Sequence, residues 1–182
     1  MCKTSMVPIR PADNPGAHPR DAPEPQMTRY ADLINDARTR VPELMPWDLQ
    51  ARMGAPGAPL LLDVREPAEV ALLRLAGALH VPRGVLEQAC EWDFDETEPR
   101  LAAGREQAIV VVCRSGNRSL LAADVMRAMG FTQVASLRTG LRGWNDAELP
   151  LVDGEGRPLD ADTAEALLAP RVRPDQRKPA GA

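Results

Sequence analysis

Aromatic residues are scarce: two Phe, one Tyr and three Trp amount to 3% of the 182 residues. The 44% of hydrophobic residues must therefore build a core mainly from Leu, Val, Ala and Met. An aromatic platform for single-stranded nucleic acid is excluded on the same ground. Net charge is also small, since 22 basic and 26 acidic residues leave −4. No overall field draws the chain to phosphate backbones or anionic lipids, so neither nucleic acid nor a membrane is an expected partner. Cysteine and histidine are few. Cys2, Cys90 and Cys113 lie far apart, no Cys-x-x-Cys pair occurs, and only His18 and His80 could complete a metal set. Zinc, a disulfide framework and a resident cofactor are accordingly not expected, and a reducing compartment is. The first twenty residues lack the apolar run of a signal peptide, and no later stretch approaches the length of a bilayer span, which predicts a cytoplasmic protein.

Proline, by contrast, is concentrated at the start. Prolines at 8, 11, 15, 19, 23 and 25 stand among polar residues, so residues 1–27 are expected to be a disordered arm. Residues 153–182 are rich in Pro, Asp and Arg, carry one short helical pattern at Asp162 to Leu168, and end in the basic run RVRPDQRKPAGA. This stretch is expected to be an extension, partly helical and then a solvated tail.

Between these arms, residues 28–152 alternate apolar runs of strand length with segments of helical period, the pattern of a parallel sheet covered by helices. Leu60 to Val64 and Ala108 to Val112 are nearly continuous apolar runs, which predicts central strands buried on both faces. Shorter strand candidates are Leu79 to Val81 and Val134 to Ser136, with an edge strand near Val41 to Met45. From Asn117 the chain turns helical, with Ala122, Val125, Met126 and Met129 at helical spacing and Gly130 as the stop. A further helix is expected from Gly84 to Trp92.

The second apolar run leads directly into Cys113-Arg114-Ser115-Gly116-Asn117-Arg118-Ser119 and then into the helix. Ligands of open α/β sheets bind beyond the carboxyl ends of strands, which puts Cys113 where a site is expected. A short strand-to-helix loop turns several backbone N–H groups inward and forms an anion-binding concavity. The resident anion here is the thiolate of Cys113, and the field that would bind an external anion favours this nucleophilic form. Gly116 allows the loop to curl around the sulfur. Arg114 and Arg118 lie in or before the first helical turn, where a cation opposes the helix dipole, and an anionic substrate would resolve that conflict. A lone cysteine after an apolar strand is often only a small core residue. That reading leaves the glycine and two arginines unexplained at Cys113, whereas it suffices for Cys2 and Cys90, which have no such loop.

On these residues the segment from about Val41 to Pro150 resembles the rhodanese homology domain. Leu61-Leu62-Asp63-Val64-Arg65-Glu66-Pro67 is similar to the family's first signature, Cys113 to Ser119 to its active-site loop, and Thr139-Gly140-Leu141-Arg142-Gly143-Trp144 to its closing turn. The resemblance implies a parallel sheet of about five strands with helices on both faces. It also implies thiosulfate sulfurtransferase activity, in which Cys113 takes sulfur from thiosulfate or a persulfide, holds it as a persulfide, and passes it to a thiophilic acceptor. Arg114, Ser115, Gly116, Asn117, Arg118 and Ser119 would bind the substrate, with both arginines on the donor's oxygens. Asp63 and Arg65 would brace the loop, or form a plain structural ion pair. The implied partners are a small anionic sulfur donor and a sulfur-carrier protein or thiol acceptor. Two features depart from the pattern: Arg74 stands in place of a usual histidine, and the Gly84 to Arg100 stretch is long and acidic.

Two other readings compete. A cysteine phosphatase or arsenate reductase needs arginine six positions after the cysteine; that position is Ser119, and Arg118 comes one residue early. A regulatory or relay module on the same scaffold would transfer no sulfur catalytically, although such modules usually lose the cysteine.

Overall fold

The computed structural model describes residues 28–179; the proline-rich arm, with Cys2 and His18, lies outside them. In chain order the elements are α1 (Tyr30–Arg38), β1 (Glu43–Leu44), α2 (Pro46–Arg52), β2 (Leu60–Asp63), α3 (Pro67–Val70), β3 (Leu79–His80), α4 (Leu86–Ala89), α5 (Pro99–Ala102), β4 (Ile109–Val112), α6 (Asn117–Ala128), β5 (Val134–Leu137), α7 (Gly140–Asp146), β6 (Leu151–Val152), β7 (Pro158–Leu159) and α8 (Ala161–Leu168). The first five strands form one sheet in the order β1-β5-β4-β2-β3, every pair parallel.

The order follows from burial. β4, Ile-Val-Val-Val, is buried at every position and occupies the centre, while the two-residue β1 and β3 form the edges. Side chains alternate between faces. Leu62, Val64, Ile109, Val111, Cys113 and Val134 face a core completed by α1, α4, α5 and α6. On the opposite face Leu61, Val110, Val112 and Leu137 meet residues of α2, α7 and α8. The expected α/β architecture with helices on both faces is the one observed.

Local differences have physical causes. The inner face of α6 carries Ser119, Leu120, Ala122, Ala123 and Met126, whereas Val125 and Met129 are only half-buried at its margin. The helix expected from Gly84 to Trp92 is shorter: a 3₁₀ turn at Arg83–Val85 leads into α4, and Cys90, fully buried, caps it. Burial pushes the Cys90 thiol up to about 11, in keeping with an inert core residue.

The C-terminal stretch, expected to be an extension ending in a solvated tail, is built into the fold as far as Leu168. Trp144, 1% exposed, donates its indole N–H to Pro150 O at 3.0 Å and directs the chain towards the β6-β7 hairpin. The hairpin docks on the segment after α3: Arg74 and Val152 exchange backbone hydrogen bonds of 2.8 and 3.0 Å, and a Cβ at Gly154 would lie 2.2 Å from Ala71 O. Leu151, Ala164 and Leu168 then join the second core. Their spacing is too irregular to be legible as a buried face in isolation, since a hairpin and a two-turn helix each contribute only one or two contacts.

Because Leu168 is 3% exposed, Leu168→Ala is expected to lower the free energy of unfolding in urea by about 2–4 kcal/mol. A loss below about 0.5 kcal/mol would show that α8 does not belong to the core.

Candidate active site

In a parallel sheet all strand carboxyl ends share one edge, which here brings together the chain after β2, β4 and β5. Cys113 follows β4 and is 1% exposed. The chain then curls: Gly116, with φ of 92°, caps α6 in a left-handed conformation. That turn aims two backbone N–H groups at the sulfur, Gly116 N at 3.2 Å and Ser119 N at 3.3 Å. Ser119 Oγ lies 3.4 Å from the thiol. Its hydroxyl donates to Gly116 O at 2.9 Å and accepts from Ser136 Oγ at 2.9 Å. Both serines are fully buried, so this short chain ties α6 to β5 beneath the sulfur. A hydroxyl proton rotates freely, so Ser119 can also serve an ionised sulfur as a donor.

The loop's other side rests on the β5–α7 turn. Leu141 N donates to Cys113 O at 2.9 Å and Arg142 N to Arg114 O at 3.0 Å. Gly140, with φ of 61°, makes this approach feasible: a Cβ there would stand 2.4 Å from Cys113 O and 2.6 Å from Ser115 N. Two backbone segments thus pack directly against one another, and side chains are excluded from the junction.

Of the residues expected to bind substrate, Gly116 and Ser119 contact Cys113 Sγ. Ser115 is exposed, Arg114 and Asn117 are half-buried, and no side-chain hydrogen bond holds any of these three among the described residues. Arg118 is already engaged. Its guanidinium grips Glu69 of α3 in a bidentate pair, Nη1–Oε2 2.6 Å and Nη2–Oε1 2.7 Å. The countercharge expected from a bound anion is therefore supplied by the protein itself. Burial disfavours the charged form of Glu69, but Arg118 and the Glu66 N–H together outweigh it and hold the carboxyl below its ordinary value of 4.5. Arg118 is shifted upwards, chiefly by hydrogen bonding to Glu69, with a smaller attraction from Cys113. Glu69 is a site residue that sequence reasoning missed. It follows the first signature by two positions, and nothing in spacing alone pairs it with a loop 49 residues away.

Asp63 and Arg65 form a plain ion pair, both 1% exposed. Arg65 Nη2 donates to Asp63 Oδ2 and to Leu73 O, each at 2.7 Å, and the Arg65 N–H donates to Asp63 Oδ1 at 3.1 Å. His80 Nε2 lies 2.9 Å from Arg65 O. No hydrogen bond from either residue reaches 113–119 among the described residues; the brace comes from Leu141 and Arg142 instead. The pair shapes the wall beside the loop, where Arg65 and Arg114 line a common cavity.

A family model described as a rhodanese-like domain matches residues 45–147, more than half of the chain. A sulfurtransferase of Allochromatium vinosum is 31% identical over 97 residues, covering 53% of this chain and 81% of that one. The Bacillus subtilis protein YrkF, a candidate sulfur carrier, is 32% identical over 84 residues, 46% of this chain but only 40% of that one. Among solved structures, a Rhodopseudomonas palustris protein of unknown function, described as a possible tyrosine phosphatase, superposes with a TM-score of 0.61 at 26% identity, covering 70% of this chain and 97% of that one.

Two outcomes check this geometry. Gly140→Ala is expected to cost about 2–4 kcal/mol, from the clash added to left-handed strain. Gly130→Ala, at φ 92° with nothing within 4 Å, should cost about 1 kcal/mol; equal losses in urea unfolding would remove the close approach. For Glu69, a carboxyl depressed in the folded state contributes stability above its unfolded value of 4.5 and loses it as pH falls through the folded value. Unfolding of Glu69→Gln should accordingly show a shallower loss of stability below about pH 4.5 than the parent protein.

Proposed function

We propose that this chain, which belongs to the rhodanese-like domain family, moves sulfane sulfur through a persulfide on Cys113. The observation that carries this reading is the seat of a single sulfur: Sγ at the end of the central strand, met by the Gly116 and Ser119 N–H groups and the Ser119 hydroxyl. Preorganised backbone donors around a buried atom stabilise negative charge on it without reorganisation. Sulfurtransferases among the relatives support a sulfurtransferase-type or sulfur-relay role.

In the first half-reaction the Cys113 thiolate attacks the outer sulfur of thiosulfate or of a persulfide. A Sγ–S bond forms, the donor's S–S bond breaks, and sulfite or a thiolate leaves with the electron pair. In the second, a thiophilic acceptor attacks the outer sulfur of the cysteine persulfide, and the Cys113 thiolate leaves. Arg114 is the arginine open to a donor's oxygens, with Ser115 and Asn117 beside it; Arg118 acts through its paired state and keeps the first turn of α6 neutral. At 1% exposure the sulfur admits only a slim terminal atom, which thiosulfate and persulfides present and bulky electrophiles do not. The acceptor is a small thiol or a sulfur-carrier protein. No helix among the described residues is long and apolar enough to cross a membrane.

The loop argues against the phosphatase reading. Two N–H groups converge on the sulfur itself, the position six after Cys113 is the buried Ser119, and the Arg118 guanidinium is held by Glu69. Thiosulfate or a low-molecular-weight persulfide should add the mass of one sulfur atom to Cys113 in intact-protein mass spectra. Cys113→Ala should reduce sulfur transfer to cyanide by at least about a thousandfold. An unmodified Cys113 with every donor overturns the reading, as does Cys113-dependent turnover of an aryl phosphate.

A further inference from the structure

Ser136 of β5 is a polar residue where packing asks for an apolar one. It is paired in register with Val111 of β4 and shares a face with Val134, both members of the first core, and it is fully buried. A buried hydroxyl is costly unless it is bonded. Among the described residues the only side-chain partner of Ser136 is Ser119, with the two oxygens 2.9 Å apart. Proton counting fixes the direction of that bond, because each hydroxyl has one proton and two lone pairs. The Ser119 proton goes to Gly116 O at 2.9 Å, so Ser136 is the donor to Ser119 Oγ. The Cys113 thiol, at 3.4 Å, donates to the same oxygen. Once the sulfur has lost that proton, Ser136 is the one donor left on Ser119 Oγ among the described residues. The Ser119 hydroxyl can then turn towards Sγ at little cost, because Gly116 O keeps the Leu120 N–H at 3.1 Å.

We propose that Ser136 is a positioning residue for sulfur release: acting through Ser119, it holds a hydroxyl donor in place for the negative charge that returns to Cys113 Sγ as the outer sulfur departs. This rests on the reading of Cys113 as a persulfide carrier. In the release step the acceptor's lone pair forms a bond to the outer sulfur, the Sγ–S bond breaks, and its electron pair stays on Sγ. Charge on Sγ therefore grows from that of a bonded sulfur to that of a thiolate. The Gly116 and Ser119 N–H groups that meet it are fixed by the backbone, whereas the Ser119 hydroxyl must be held by its surroundings. A hydroxyl that itself accepts a hydrogen bond donates a stronger one, and a donor already in place stabilises growing charge without reorganisation. Among the described residues Ser136 forms no hydrogen bond with Cys113, and it does not line the cavity beside the loop. Its influence on the sulfur passes through Ser119. Loading runs the other way: charge leaves Sγ as the bond to the incoming sulfur forms, so the same donor gives that step no comparable help.

The test compares Ser136→Thr with Ser136→Val, which share a shape and differ in the hydroxyl. Each protein is loaded with thiosulfate, freed of donor and mixed with cyanide, and loss of the added sulfur mass is followed in time. Release from Ser136→Val should be about fivefold slower than from Ser136→Thr, the worth of one neutral hydrogen bond expressed as a rate. KM for thiosulfate should agree between the two within about twofold, since no donor contact changes. Ser119→Ala should slow release at least as much, and adding Ser136→Val to it should change release by less than about twofold, as expected of two residues acting as one unit. Should the extra methyl group prevent folding, Ser136→Ala is compared with the parent protein in the same cycle with Ser119→Ala. Equal release with and without the Ser136 hydroxyl, or an undiminished effect of Ser136 once Ser119 is alanine, overturns the positioning role while leaving sulfur transfer intact. Failure of the parent protein to load Cys113 from any donor overturns the persulfide reading itself.

Discussion

Everything in this molecule that bears on chemistry depends on the contact between one sulfur atom and two backbone amides. The Gly116 and Ser119 N–H groups reach Cys113 Sγ only because Gly116 is left-handed and α6 starts immediately after it. That conformation is imposed from outside the loop. Leu141 and Arg142 take the carbonyls of Cys113 and Arg114, and Gly140 lets the second turn come within reach. Backbone donors carry no side-chain entropy, so once the two turns are packed the seat is preorganised.

Charge around the seat is arranged in pairs that cancel. Asp63–Arg65 is fully buried and is satisfied further by Leu73 O, which makes its geometry rigid; breaking one partner would strand a charge in the interior, whereas the intact pair is weak evidence of net stability. Glu69–Arg118 solves a different problem, the placement of a cation in the first turn of α6, where the helix dipole disfavours it. With both pairs closed, the remaining positive character beside the loop belongs to Arg114, and to Arg171 from outside the family match. Loop and periphery therefore differ: two amides point at Cys113 Sγ, whereas Arg114 has no ion-pair partner among the described residues.

The sheet and the loop were legible because their signals are local. Ile109 to Val112 is continuous and apolar, which in a short run between turns means a strand covered on both sides, and Cys113 to Ser119 carries its glycine and arginines in sequence. The edge strands were visible as short candidates. Glu69, Ser136 and the role of Leu141 were not, since each acts on the loop across 17 to 49 residues or through backbone atoms that no side-chain pattern reveals. The C-terminal stretch was legible only in part, for a related reason. Its helical pattern at 162–168 matches α8, but its polar composition hides that Ala164 and Leu168 are enough to seat that helix in the second core.

By itself the sequence determined the fold class, the central strands and the position of a cysteine-led loop at a strand end, since hydrophobic period and turn chemistry are properties of contiguous residues. Only the tertiary structure decided which arginine is neutralised and which stays open, what braces the loop, and that the last helix helps wall the cavity beside it. Those outcomes depend on distances between segments remote in the chain, where a shift of a few ångströms separates a closed ion pair from a free charge.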